Sequence, residues 1–150
     1  MDEYIQYNAW FLESQKIRMQ GDVEKHIVIM DVGGFSMWRY DAQKAFAGTH
    51  ILQTCYPERL GLAVVVNVPM AAMAIWAVIK RWMDPETLAK FHLFGKSEKE
   101  KEASRALLLK VVAPEELLEQ YGGTRSEPYP IPITKPTKGD DYPGGVPAAY

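Results

Sequence analysis

Residues 60–79 run for twenty positions without a charge, and the two halves of that run follow different patterns. The first, "LGLAVVVNV", is rich in β-branched residues and lacks helical spacing, which suits a strand buried on both faces. The second, "MAAMAIWAVI", is made of helix formers and is apolar on nearly every side, unlike a surface helix with one polar face. Asn67 and Pro69 stand between them. The length would suffice for a membrane-spanning helix, but a proline and an asparagine at its middle and a β-branched first half favour strand, turn and helix. Such a chain must find apolar cover for both a strand and a helix.

The flanking sequence extends this pattern. "HIVIMDV", residues 26–32, is a short β-branched run closed by Gly33 and Gly34, and reads as a second buried strand. Residues 4–19 space Ile5, Trp10, Phe11 and Ile17 as an amphipathic helix that stops at Gly21 and Asp22. Trp38, Ala42, Ala45, Thr49, Leu52 and Tyr56 recur at helical spacing over residues 37–55, before Pro57. "DPETLAK", residues 84–90, starts a short helix, with Asp84 as cap, Pro85 where a missing N–H does no harm, and Glu86 at the positive end. "FHLFG", residues 91–95, is a short strand, and "KSEKEKEASR", residues 96–105, is a charge run typical of a solvated helix face.

"ALLLKVVAPEELLEQYGG" adds an apolar helical turn, a turn begun by Pro114, and a stop at Gly122 and Gly123. Residues 124–150 hold six of the ten prolines and have neither periodicity, so they read as an extended tail outside the core. Strands near residues 27–32, 62–68 and 91–94, separated by helices, make an α/β fold with a mainly parallel sheet. A chain of 150 residues, 47% hydrophobic, supports one ordinary core.

Charge and cysteine content narrow the function. With 17 basic and 19 acidic residues the net charge is −2, which offers no general electrostatic attraction to nucleic acid. Cys55 is the only cysteine, so no internal disulfide forms, and no signal-peptide pattern opens the chain; a cytosolic compartment is the expectation. Catalytic motifs are missing: there is no Gly-x-Ser-x-Gly, no His-Glu-x-x-His and no cysteine pair for zinc. "GKS" at residues 95–97 imitates the end of a phosphate-binding loop, but Lys90 occupies the position where that motif needs a glycine. His26, His50 and His92 lie on three different elements, none at a metal-ligand spacing from another, and Cys55 has no evident base. No metal and no cofactor are expected.

The order "IMDVGG", a helix, "YPERLGLAVVVNVP", an apolar helix, "DPETLAKFHLFG" and "APEELLEQYGG" resembles the lipid-binding CRAL-TRIO domain over residues 27–123. Among its members it is most similar to the phosphatidylinositol transfer proteins of the secretory pathway. The resemblance implies a mixed, mainly parallel sheet flooring a hydrophobic lipid pocket, covered by helices that include a mobile gate. By resemblance the gate is residues 70–83, with Met70, Met73, Ile75, Trp76, Ile79, Trp82 and Met83 lining gate and pocket, and Gly61 and Gly123 as hinges.

Glu58 and Lys90 fall where phosphatidylinositol-binding members place the acid and base that hold the headgroup, and Thr87 matches a further headgroup position. The chemistry agrees, since inositol offers hydroxyl donors to a carboxylate and the phosphodiester is an anion for an ammonium. Without the resemblance, the same two residues read as an ordinary rim ion pair. Arg59 is read as a surface charge. The implied function is non-enzymatic: phosphatidylinositol is exchanged between membranes or presented to a phosphatidylinositol kinase. It implies a cytoplasmic protein in transient contact with a Golgi or endosomal membrane surface.

His26 and Val28 stand where phosphatidylcholine-binding members carry serine and threonine, which leaves any second ligand, a phospholipid or another hydrophobe, unassigned. The family's helical N-terminal module and the first strand and helices of its lipid domain have no counterpart, so residues 1–123 read as the C-terminal, N-terminally truncated portion of that domain. Two alternatives stay open. The ligand could be a tocopherol, retinoid or sterol, because apolar walls read shape. Or the chain could be a protein-interaction scaffold with a collapsed cavity and a docking Pro-rich tail.

Overall fold

The computed structural model describes residues 6, 9–13, 19, 21–36, 50–51, 54–56 and 58–127. Most of the helices expected over residues 4–19 and 37–55, and the tail beyond residue 127, lie outside them. The described residues fall into two compact units, the first drawing on Met1–Lys25 and Asp41–Arg59, the second on His26–Tyr40 and Leu60–Pro130.

In the first unit residues 9–13 are helical, with Ala9 and Trp10 buried, as is Ile51. The Tyr56 hydroxyl donates to Glu13 Oε1 at 2.8 Å, and Gly21 takes the left-handed conformation at φ 61° where the first helix was expected to stop.

The second unit is built on three parallel strands in the order β1-β2-β3: β1 is His26–Asp31, β2 Leu60–Val66 and β3 Phe91–Leu93. Central β2 buries Ala63, Val64, Val65 and Val66 in succession, so both of its faces are covered, as an unbroken β-branched run requires. Val64 and Val66 pack with Leu108 and Leu117, and Ile29, Leu62, Phe94 and Tyr121 close around them. The β1–β2 register slips between His26, opposite Leu60, and Ile27, opposite Leu62, which leaves Gly61 as the unpaired residue of a bulge.

Helix α1, Met70–Ile79, follows β2, passes into a 3-10 turn over Lys80–Trp82, and is succeeded by the short helix α2, Pro85–Ala89. Asp84 caps α2 as expected, its side chain accepting from the Thr87 N–H at 2.8 Å. Helix α3, Glu98–Leu108, turns its charged face to solvent and buries Ser104 and Leu108. Ser97 caps it, while Glu100 reaches back to the Gly95 N–H at 2.9 Å and accepts from the Ser97 hydroxyl at 2.6 Å. Two 3-10 turns, Pro114–Glu116 and Glu119–Tyr121, lead to Gly122 at φ 97°.

Among the described residues the element types match the expectations, and boundaries move. β2 ends at Val66 because Asn67 is left-handed, at φ 58°, and cannot extend a strand. β3 stops at Leu93, although the Phe94 N–H still bonds Val65 O at 2.8 Å. The helix expected over residues 70–83 tightens after Ile79, and Met83 is extended. Among the described residues no helix is long and apolar enough to cross a membrane; the uncharged run is a strand followed by a helix.

Candidate functional site

Thr87 and Lys90 share one short segment. Asp84 fixes its start, and its end is fixed by the backbone, where the Lys90 N–H bonds Thr87 O at 3.1 Å and Lys90 O accepts from the Ala63 N–H of β2 at 2.8 Å. Lys90 is thus clamped where α2 feeds β3. Its side chain is only 18% exposed, and its ammonium reaches Glu86 Oε1 at 3.1 Å, one helical turn back. The Thr87 hydroxyl and N–H both engage Asp84 and hold that carboxyl below its ordinary range.

Glu58 belongs to the first unit, in the turn before β2 that the Arg59 N–H closes on Tyr56 O at 3.4 Å. It occupies the third position of that turn at φ 63°, a left-handed backbone that glycine or asparagine adopts at less cost. Glu58 is exposed, and nothing in the turn's own hydrogen bonding requires a glutamate at this left-handed position. Arg59, read as a surface charge, donates from Nη1 to the Glu24 carbonyl at 3.1 Å. Thr87 and Lys90 are therefore brought together in one segment of the second unit, while Glu58 lies in a turn of the first.

α1 has no fully buried residue. Its half-buried stripe is Ala72, Ile75, Trp76 and Ile79, and the Trp76 ring packs on Phe91 of β3 with centroids 5.1 Å apart. Of the expected lining residues, Ile75, Trp76, Ile79 and Met83 lie on the half-buried side, whereas Met70, Met73 and Trp82 are exposed, Met70 at 87%. Gly61 sits in the β2 bulge, and Gly123 lies against the Leu117 carbonyl so closely that a Cβ there would overlap it. Both glycines thus have local backbone roles besides any hinge function.

Spacing did not single out a further cluster, at the carboxyl ends of the strands. Asp31 Oδ1 accepts from the Gly33 N–H at 2.8 Å and Oδ2 from the Asn67 amide at 3.0 Å. Tyr121 lies beside it, its phenol raised above the ordinary value by burial and then by the Asp31 charge. The Lys96 ammonium reaches Gly33 O at 3.3 Å. Asp31 and Asn67 are far apart in sequence, and their one shared signal is that each follows a β-branched run.

Comparison with known proteins adds to this geometry. The chain matches the model of the CRAL/TRIO domain over residues 1–123. It is similar to the SEC14 cytosolic factor of Yarrowia lipolytica, 33% identical over 106 residues that make up 69% of this chain and 20% of that protein. It is also similar to the phosphatidylinositol transfer protein CSR1 of Eremothecium gossypii, 30% identical over 92 residues, 59% of this chain and 20% of that protein. The chain therefore spans about a fifth of the length of these curated relatives. Among solved structures, the crystal structure of Sfh5 aligns at 29% identity with a TM-score of 0.44, over 50% of this chain and 27% of that one.

Proposed function

The chain belongs to the CRAL/TRIO domain family, and we propose that it binds phosphatidylinositol in an apolar pocket and exchanges it between membranes or presents it to a lipid kinase. Lipid binding is the family's general property; the inositol headgroup, the kinase and the membrane are this proposal's own content.

The observation that carries it is the succession of α1 and the Lys90 segment. A helix without a polar face, in which no residue is fully buried, is followed eleven residues after its end by an ammonium held to Glu86, on the same short segment as Thr87. An apolar wall next to an anion-binding group matches a ligand with acyl chains at one end and a phosphodiester at the other. On this reading Lys90 meets the phosphate and gives up part of its bond to Glu86, Glu58 accepts from inositol hydroxyls, and Thr87 supports the same headgroup. Ile75, Trp76, Ile79 and Met83 line the pocket. None of these roles makes or breaks a covalent bond, so the proposed activity is transfer and not catalysis.

Exposed Met70, Met73, Val78 and Trp82, with Lys80 and Arg81 beside them, supply the surface proposed to touch a membrane transiently, at a Golgi or endosomal face reached from the cytosol. Transfer of fluorescent phosphatidylinositol from donor to acceptor vesicles tests the reading. The chain accelerates transfer of that lipid, and Glu58→Ala and Lys90→Ala do so less. Transfer at the protein-free rate would reject it.

A further inference from the structure

β1 forms one outer edge of the described sheet, and its sequence does nothing to close that edge. The order β1-β2-β3 leaves β3 as the opposite edge, which is only three residues long and so a poor template for pairing. β1 runs for six residues, and between His26 and Asp31 it carries Ile27, Val28, Ile29 and Met30, with no charge, glycine or proline. Proteins blunt an edge of that kind with a lysine, a proline or a bulge. The bulge here belongs to β2, at Gly61, so β1 itself stays regular.

The ladder with β2 fixes which backbone groups face outward. Successive residues of a strand direct their N–H and C=O to opposite sides, and the Val32 N–H bonds Val66 O at 3.1 Å, so Val28, Met30 and Val32 serve β2. Ile27, Ile29 and Asp31 turn theirs the other way, where no strand lies among the described residues. Burial agrees with this. Every residue of β2 from Ala63 to Val66 is buried, none of β1 is, and Ile27 is 39% exposed.

We propose that this edge pairs with the same edge of a second copy of the chain, antiparallel, about a two-fold axis at Val28. Antiparallel pairing sets outward-facing residues opposite one another, so only odd-numbered residues can meet odd-numbered ones along the new ladder. With the axis at Val28, Ile27 lies opposite the copy's Ile29, and Lys25, the residue before β1, lies opposite the copy's Asp31. Both pairings occur twice by symmetry. An axis at Ile29 would set Ile27 against Asp31, and an axis at Ile27 would set Lys25 against Ile29 and Asp31 against Val23. Only the Val28 register matches apolar with apolar and base with acid, and that self-complementarity selects a second copy as the occupant. Lys25 and Asp31 are both exposed, and the Asp31 carboxylate is already braced by the Gly33 N–H and the Asn67 amide. The product is one continuous sheet with three strands from each copy. It rests on the sheet alone and not on the lipid proposed above.

Sedimentation velocity of the 150-residue chain over a concentration series should show reversible assembly to about twice the 17.0 kDa monomer. Ile27→Lys puts a charge against the copy's Ile29 and should weaken assembly about tenfold or more. Lys25→Glu sets like charges face to face and should weaken it about fivefold. Leu109→Lys, at an exposed apolar position away from β1, should leave it within about twofold. Register is read separately in a Cys55→Ser background. Val28→Cys meets itself across the axis at a non-hydrogen-bonded pair, where opposed Cα atoms stand closest, and should form an intermolecular disulfide under copper phenanthroline ahead of Ile27→Cys and Met30→Cys. A chain that stays monomeric throughout the series would overturn the proposal. So would cross-linking through Met30→Cys ahead of Val28→Cys, or unchanged assembly in an Ile27→Lys variant that matches the parent's circular dichroism. If Ile27→Lys does not fold, Lys25→Glu and the cysteine variants decide it.

Discussion

The Lys90 ammonium lies 3.1 Å from the Glu86 carboxylate, and the two partners differ sharply in exposure, 18% for the lysine side chain and 67% for the glutamate. An ion pair with one arm in solvent adds little stability, about 0.5 kcal/mol or less. Glu86→Gln should therefore leave the thermal midpoint nearly unchanged and hold phosphatidylinositol at least as well as the parent. Lys90→Ala should lose roughly tenfold or more in affinity, the worth of a hydrogen bond to a charged group. Equilibrium titration with a fluorescent phosphatidylinositol measures both. Equal affinity in all three proteins would remove Lys90 from the site.

Gly123 packs where a side chain cannot. A Cβ there would overlap the Leu117 carbonyl, which accepts from the Arg125 N–H at 3.0 Å, so Gly123→Ala must break that turn. The expected loss is about 3 kcal/mol or more by urea unfolding. Gly34 has open space around its Cβ direction, and Gly34→Ala should stay within about 0.5 kcal/mol of the parent.

Leu108 and Leu109 are neighbours of opposite environment, the first fully buried against Val64 and Val66, the second 43% exposed. Leu108→Ala should cost about 2–5 kcal/mol and Leu109→Ala less than about 1 kcal/mol. Similar losses in the two variants would mean that α3 is rotated relative to the sheet.

Three exposed carboxyls are held below their ordinary range: Asp84 by Thr87, Glu98 by Lys101, and Glu100 by Ser97 and the Gly95 N–H. Because the folded form favours the charged acid, each contributes stability above the ordinary carboxylate range, and the contribution fades as pH falls through the lowered value. The thermal midpoint should therefore decline on acidification below pH of about 4.5. Glu100→Gln should decline less steeply. Added salt should weaken the Glu98 contribution, which rests on an ion pair, more than the two capping contributions. An acid profile in Glu100→Gln identical to the parent's would show that the α3 cap is not charge-dependent.

What could be read from the sequence follows from how local each feature is. The break between β2 and α1 was legible because Asn67 and Pro69 interrupt two unlike patterns. The Asp84 cap was legible because cap, proline and acid are contiguous. The Ser97 cap was also written locally, as serine followed three residues later by Glu100, inside a charge run that reads first as solvated surface. The left-handed turn at Glu58 was hidden, because glutamate does not signal a positive φ. The bond from Asn67 to Asp31 was hidden for another reason: it depends on the register of two parallel strands, which pairs Asp31 with Val66 and so sets the acid next to the residue after it. Lys90 and Glu58 as headgroup residues came from family resemblance, since spacing alone gives only an acid and a base.

The most direct measurement is to extract the purified 150-residue chain with organic solvent and identify bound lipid by mass spectrometry, alongside Glu58→Ala and Lys90→Ala that match the parent's circular dichroism. Phosphatidylinositol recovered from the parent, and reduced about tenfold in both variants, is the predicted result. A parent that carries no phosphatidylinositol, or variants that carry as much as the parent, would contradict the headgroup assignment.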